Sequence, residues 1–166
     1  MSSNESSDRI TRHSLSNRAF HWISAVCMLV LMVTGLFPGL GIEFSWLAIH
    51  WIAGLVFTAV VIWHTVRAIT VKHRGTSMAP KANDVTAAVE SIKLGSQANT
   101  KPGKYSFEQK MMHNAVSLFS FIGIVTGILM LLRIDTPWWQ ADPYWISSAM
   151  TGIIFVLHGV VALFFI

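Results

Sequence analysis

Residues 44–66 read FSWLAIHWIAGLVFTAVVIWHTV and contain no Asp, Glu, Lys or Arg. A helix of about 20 apolar residues is long enough to cross the hydrocarbon core of a bilayer, so this stretch predicts a transmembrane helix. Three other stretches are also uncharged and of similar length: residues 19–37, 111–132 and 143–166. The sequence therefore predicts an all-α membrane protein in which four transmembrane helices form a bundle.

The composition favours a membrane protein and excludes several other classes. Of the 166 residues, 53% are hydrophobic and 12% are charged, whereas a soluble domain is about 25% charged. This composition excludes most soluble enzymes and intrinsically disordered chains. The single cysteine, Cys27, excludes a disulfide framework and a cysteine-based zinc or iron–sulfur site.

The basic residues are distributed unevenly about the predicted spans. Eleven of the 12 precede the first span or lie between the second and third spans: Arg9, Arg12, Arg18, Arg67, Lys72, Arg74, Lys81, Lys93, Lys101, Lys104 and Lys110. Lys and Arg accumulate in cytoplasmic segments. We therefore expect the N-terminal tail (residues 1–18), the loop (residues 71–110) and the C-terminus to be cytoplasmic. The bundle comprises residues 19–166. The charge then indicates topology and contact with anionic lipid, and not a nucleic-acid partner.

The loop contains one stretch with helical periodicity. Its apolar residues recur at helical spacing, at Val85, Ala88, Val89 and Ile92. Asn83 or Asp84 is suited to cap the start of this helix. We therefore expect a short helix on the membrane surface or beneath the bundle.

Histidines are the candidate chemical groups of the spans. Four of the seven lie inside spans, at His21, His50, His64 and His158, and His113 lies at the entrance to the third span. His50 and His64 are 14 residues apart, which is about 21 Å along a helix and about 40° in azimuth. They therefore face the same way at two depths, too far apart to share a zinc ion, which needs three or four ligands.

Haem iron accepts one imidazole from each of two helices, so two layers of histidines favour a transmembrane electron path with two haems. The spans contain no carboxylate, which a proton or cation carrier would normally place near the midplane. Small residues near the histidines would let a flat macrocycle approach, although close helix packing explains them equally well: Gly35, Ala53, Gly54, Gly123, Gly127, Gly152 and Gly159. We see no internal sequence repeat.

Several short segments resemble one known family, the membrane cytochrome b (gamma) subunits of respiratory formate dehydrogenases. They are Arg18-Ala-Phe-His21-Trp22, His50-Trp-Ile-Ala-Gly54, Arg67, Gly103-Lys-Tyr105, Gln109-Lys-Met-Met112 and Leu157-His158-Gly159. Related cytochromes b serve thiosulfate reductases and nickel–iron hydrogenases. The resemblance implies a subunit, not a stand-alone enzyme, that binds two b haems in a bacterial cytoplasmic membrane. It implies electron transfer between quinone and an iron–sulfur or other redox subunit at the periplasmic face.

The resemblance also implies ligands. His50 and His158 match the two ligands of the outer haem, and His21 matches one ligand of the inner haem. The second inner ligand would lie about 14 residues past His158, beyond Ile166, so we expect the sequence to be shortened relative to the native protein. Alternatively, His64 lies at the right depth to pair with His21 and to complete the inner site.

A quinone site near the inner haem needs polar groups that hydrogen-bond a carbonyl and transfer a proton. The start of the third span offers Gln109, His113 and Asn114, and His113 is the best proton donor or acceptor among them. Lys110 is expected to be an interfacial anchor, and Arg133 either pairs a haem propionate or anchors a helix end. The alternative function is a haem-free four-helix membrane protein whose histidines handle ions or protons.

Overall fold

The computed structural model describes residues 15–70, 78–79, 81–94, 105–142 and 144–166. Within these residues, five α-helices follow one another: α1 (Leu15–Leu36), α2 (Trp46–Thr70), α3 (Ala82–Leu94), α4 (Phe107–Leu131) and α5 (Ser148–Phe164). The prediction of an all-α protein is confirmed, since the described residues contain no strand beyond one isolated bridge between Thr136 and Trp139.

The helices pack as two antiparallel hairpins, α1 with α2 and α4 with α5, and contacts between α2 and α4 join them. A single 3-10 turn, Pro38–Leu40, reverses the chain in the first hairpin. Gly41 follows it at φ 79°, a left-handed conformation that glycine adopts without steric cost. The Gly41 N–H donates to the carbonyl of Pro38 and closes the turn.

Side-chain caps fix where the later helices begin. Ser106 and Gln109 form a capping box at the start of α4, and the Ser147 hydroxyl accepts a hydrogen bond from the Met150 N–H at the start of α5. The predicted loop helix is confirmed as α3, which packs on α4. Asp84, its third residue, accepts a hydrogen bond from the backbone N–H of Lys81. These caps satisfy backbone N–H groups that lack a partner within the helix.

Helices α1, α2 and α4 are long and apolar enough to cross a membrane, whereas α5 is apolar but has only 17 residues. α5 begins at Ser148, later than the apolar stretch that starts at residue 143. Large apolar side chains on the outside of the helices are exposed, such as Trp22, Phe121 and Phe155. In a membrane protein these surfaces face lipid, because lipid tails are as apolar as the side chains.

Candidate functional site

The structure brings together two of the intramembrane histidines, one from each hairpin. The rings of His50 on α2 and His158 on α5 have centroids 6.2 Å apart, with an angle of 72° between their planes. Both side chains are half-buried between the helices. The site therefore lies where the two hairpins meet.

Each of these imidazoles is hydrogen-bonded by a threonine from the other helix of its own hairpin. Nδ1 of His50 lies 2.8 Å from Oγ1 of Thr34 on α1. Nδ1 of His158 lies 2.8 Å from Oγ1 of Thr126 on α4. The two threonines are among the most buried residues of the described chain, at 3% and 4% exposed. The two halves of the site thus repeat one arrangement.

A glycine follows each threonine and lies against the same histidine. A Cβ atom added at Gly35 would lie 3.5 Å from Cε1 of His50, and one added at Gly127 would lie 3.3 Å from Cε1 of His158. By contrast, Gly54 and Gly123 lie against the aliphatic side chains of Leu31 and Val161. Gly35 and Gly127 therefore leave room for the rings, whereas the other two serve helix packing.

Thr34 and Thr126 are functional candidates that the sequence reasoning missed. Both belong to the tripeptide Val-Thr-Gly, which occurs at residues 33–35 and 125–127. The shared tripeptide is visible in the sequence, but its meaning depends on the tertiary pairing of each threonine with a histidine in the next helix.

The pair of imidazoles fits haem better than zinc. The 6.2 Å between the ring centres leaves room for one metal ion between the two imidazoles, each bound through a bond of about 2 Å. The described residues contain no group of three or more His, Cys, Asp or Glu side chains that could hold a metal ion. Haem needs only two axial ligands from the protein, so the donor set present is sufficient.

The other two intramembrane histidines are not brought together in this way. The His64 ring stacks on Phe20, with centroids 3.9 Å apart and 15° between the planes. His21 is exposed, and its ring contact is an edge contact with Trp22. A second imidazole pair, like that of His50 and His158, is not formed within the described residues.

The polar groups at the start of α4 have different surroundings. Gln109 belongs to the capping box of α4, and the Asn114 amide donates to the carbonyl of Met78 at 3.3 Å. His113 has an exposed side chain without a hydrogen bond to the described residues. Among the three quinone candidates, His113 is therefore the one whose side chain is free for a ligand.

Lys110 is not the interfacial anchor that the sequence predicts, whereas Arg133 anchors a helix end. Lys110 is only 7% exposed and its ammonium donates to Oδ2 of Asp84 at 2.7 Å. Arg133 donates to the carbonyl of Ile146 at 2.8 Å and to Oγ1 of Thr151 at 2.6 Å. Arg133 thus joins the end of α4 to the start of α5, as expected of a residue that anchors a helix end.

Comparison with known proteins identifies the family. Residues 12–166 match the prokaryotic cytochrome b561 family. This chain belongs to the prokaryotic cytochrome b561 family. It is also 28% identical over 175 residues to the "Formate dehydrogenase, cytochrome b556 subunit" of Haemophilus influenzae, an alignment that covers 91% of this chain and 63% of that relative. The predicted resemblance is confirmed, and the cytochrome b561 chain is a haem-binding electron-transfer protein of the membrane.

Proposed function

We propose that this cytochrome b561 chain is the membrane subunit of a respiratory oxidoreductase such as formate dehydrogenase. It transfers electrons between a periplasmic redox subunit, of iron–sulfur or other type, and the quinone pool. In this proposal His50 and His158 are the axial ligands of the haem nearer the periplasm. The observation that carries it is the pair of neighbouring, threonine-bonded imidazoles at the junction of the two hairpins.

The residues around this pair explain what the chain itself contributes. A bound b haem supplies a one-electron iron couple, and the protein sets the ligands, their orientation and the surrounding polarity. Buried apolar side chains of the bundle, such as Cys27, Phe57 and Ile154, limit access of water. Gly35 and Gly127 keep space beside the imidazoles.

We include α5 as the fourth span of a multi-pass inner-membrane protein. Its 17 residues correspond to about 25 Å, somewhat less than the bilayer core of about 30 Å. However, His158 on α5 lies beside His50 on α2. Since α2 is long enough to span the bilayer core, α5 lies at the same depth in the membrane as α2. In the proposed orientation the N-terminus and α3 are cytoplasmic.

The second haem and the quinone belong to the cytoplasmic half in this proposal. His21 is one ligand of the inner haem, and His64 is the candidate within this sequence for the other. His113 exchanges the proton that accompanies quinone chemistry, since it is exposed at the start of α4 and an imidazole can both donate and accept a proton. Gln109 and Asn114 remain candidates for hydrogen bonds to a quinone carbonyl, although both already have partners within the protein.

Reduction by a quinol tests this function directly. The purified protein, assembled in membranes and extracted in mild detergent, should show the b-type bands of a reduced-minus-oxidised spectrum. Addition of a ubiquinol or menaquinol analogue should reduce the haem, and His113→Gln should slow that reduction without lowering haem content. The matched control is Ser117→Ala, one turn further along α4, which should leave the rate unchanged. A protein without b-type bands, or one whose haem no quinol reduces, would contradict the proposal.

A further inference from the structure

We propose that Thr34 and Thr126 are positioning residues that hold both ligating imidazoles as the Nδ1–H tautomer, which leaves Nε2 of each ring as the atom with a free lone pair. This inference rests on the proposed function, because it assigns a role toward haem to residues that do not themselves bind the iron. It concerns neither the identity of the ligands nor the number of haems.

The hydrogen bonds of Thr34 fix the direction of its bond to His50. Its Oγ1 lies 2.6 Å from the carbonyl oxygen of Val30, and two oxygens this close require a proton between them. A hydroxyl has one proton, so the Thr34 proton is donated within α1. The 2.8 Å contact with His50 therefore has Nδ1–H as donor and the threonine oxygen as acceptor.

The hydrogen bonds of Thr126 fix the direction of its bond to His158 in the same way. Its Oγ1 lies 2.8 Å from the carbonyl oxygen of Ile122 and 3.1 Å from that of Gly123. Its proton is thus used within α4, and its oxygen accepts the Nδ1–H of His158 at 2.8 Å. Since a neutral imidazole carries one N–H and one lone pair, both rings present Nε2 for coordination.

Burial gives these hydrogen bonds their importance. At 3% and 4% exposed, the threonines are out of reach of water, and an imidazole N–H left without an acceptor there would be costly. The opposite tautomer would place a lone pair against the threonine lone pairs. The threonines therefore select the tautomer and restrict rotation of each ring, as outer-shell partners of metal-bound histidines commonly do.

A consequence for the bound haem follows from the direction of the bonds. Donation of Nδ1–H to an acceptor raises the basicity of the ligand, and a more basic ligand stabilises ferric over ferrous iron. Loss of either threonine oxygen should therefore raise the midpoint potential of the outer haem. Because the two hydrogen bonds have the same length, loss of either one should raise the midpoint potential by a similar amount.

The test compares Thr34→Val and Thr126→Val, which keep the side-chain shape, with Thr34→Ser and Thr126→Ser, which keep the oxygen. Thr58→Val is the matched control, since the Thr58 hydroxyl makes the same intrahelical bond, to Gly54 at 2.7 Å, and has no bond to a histidine among the described residues. The readouts are the midpoint potential from optical redox titration and the g-values of the ferric haem in electron paramagnetic resonance.

We expect both Val variants to raise the midpoint potential and shift the g-values, both Ser variants to match the wild type, and Thr58→Val to change neither. Val variants with haem at the wild-type potential would overturn the proposal. If a Val variant takes up no haem, retention of haem in the corresponding Ser variant supports the role of the oxygen. Loss of haem in both would overturn it.

Two further variants separate this proposal from the proposed function. His50→Ala and His158→Ala should each remove the outer haem. If they keep it, the ligand assignment fails, and the threonine proposal fails with it. If they lose it while the Val variants keep the wild-type potential, the ligand assignment stands and only the threonine proposal fails.

Discussion

The ammonium of Lys110 lies 2.7 Å from Oδ2 of Asp84, and this ion pair joins α4 to α3. Lys110 is almost fully buried, and Asp84 also accepts a hydrogen bond from the backbone N–H of Lys81. Hydrogen bonds from the Lys110 ammonium and from that N–H hold the pKa of the Asp84 carboxyl below its usual value. The pair thus attaches the loop helix to the start of a span.

Asp84→Asn should lower the melting temperature of the protein in detergent at neutral pH, because it leaves the buried Lys110 ammonium without its counter-charge. A carboxyl with a lowered pKa stabilises the folded state above its unfolded pKa, about 3.9 for Asp. This contribution is lost as the pH falls through the lower folded value. The difference in melting temperature between wild type and Asp84→Asn should therefore be largest above about pH 5. It should shrink in more acidic buffer.

The double variant Asp84→Asn/Lys110→Met is the control, because it removes both charges and should recover part of the lost stability. Lys93→Met, which changes an exposed lysine of α3, should leave the melting temperature near the wild-type value. A melting difference that stays constant from neutral to acidic pH would show that the ion pair is not its cause.

Gly127→Ala should disturb haem binding more than Gly35→Ala. The added Cβ at residue 127 meets Cε1 of His158 at 3.3 Å, which is tighter than ordinary contact, whereas that at residue 35 meets His50 at 3.5 Å. We expect a broadened, shifted Soret band or reduced haem content for Gly127→Ala, and a near-normal spectrum for Gly35→Ala. Gly152→Ala, where no atom lies within 4 Å, is the control, and equal spectra for all three variants would contradict the proposed contact.

Arg133→Met should destabilise the second hairpin without removing haem. The variant loses two hydrogen bonds from a charged donor, each of which stabilises by roughly 1.5–3 kcal/mol. Thr151→Ala removes one of the two acceptors and should give a smaller drop in melting temperature. Haem content after purification at low temperature should match the wild type; a selective loss of haem at normal stability would instead indicate a propionate contact.

A topology reporter inserted between residues 96 and 103 should be active in the cytoplasm, because eleven of the 12 basic residues lie on that side of the predicted spans. The same reporter inserted between Trp138 and Asp142 should be active in the periplasm. The opposite pattern would place the His50–His158 site near the cytoplasmic face and would exclude the proposed direction of partner binding.

The sequence predicts those structural features that depend on a single segment of the chain. The three long spans follow from uncharged apolar stretches, and α3 follows from the spacing of Val85, Ala88 and Val89. The proximity of His50 and His158 was expected through the resemblance to a family, since the two residues lie 108 positions apart. Periodicity alone could not have paired them.

The missed features depend on tertiary contacts. Lys110 was expected to extend toward the membrane surface, yet it is buried because α3 places Asp84 against it. In the sequence, Thr34 and Thr126 are ordinary residues of apolar helices. Their roles follow only from their hydrogen bonds to histidines of neighbouring helices. A polar side chain inside a span gains its role from the helix opposite it, which a one-dimensional pattern does not specify.

The most direct test of the account is the ratio of haem to protein, measured by the pyridine haemochrome assay. Wild type should be compared with His50→Ala, His158→Ala and His64→Leu, each purified from the membrane at matched expression. We predict that His50→Ala and His158→Ala each lose one haem per chain relative to wild type, whereas the ratio in His64→Leu falls only if His64 is a ligand of the inner haem. An unchanged ratio in His50→Ala or His158→Ala would contradict the account, because the imidazole pair would then not be a haem site.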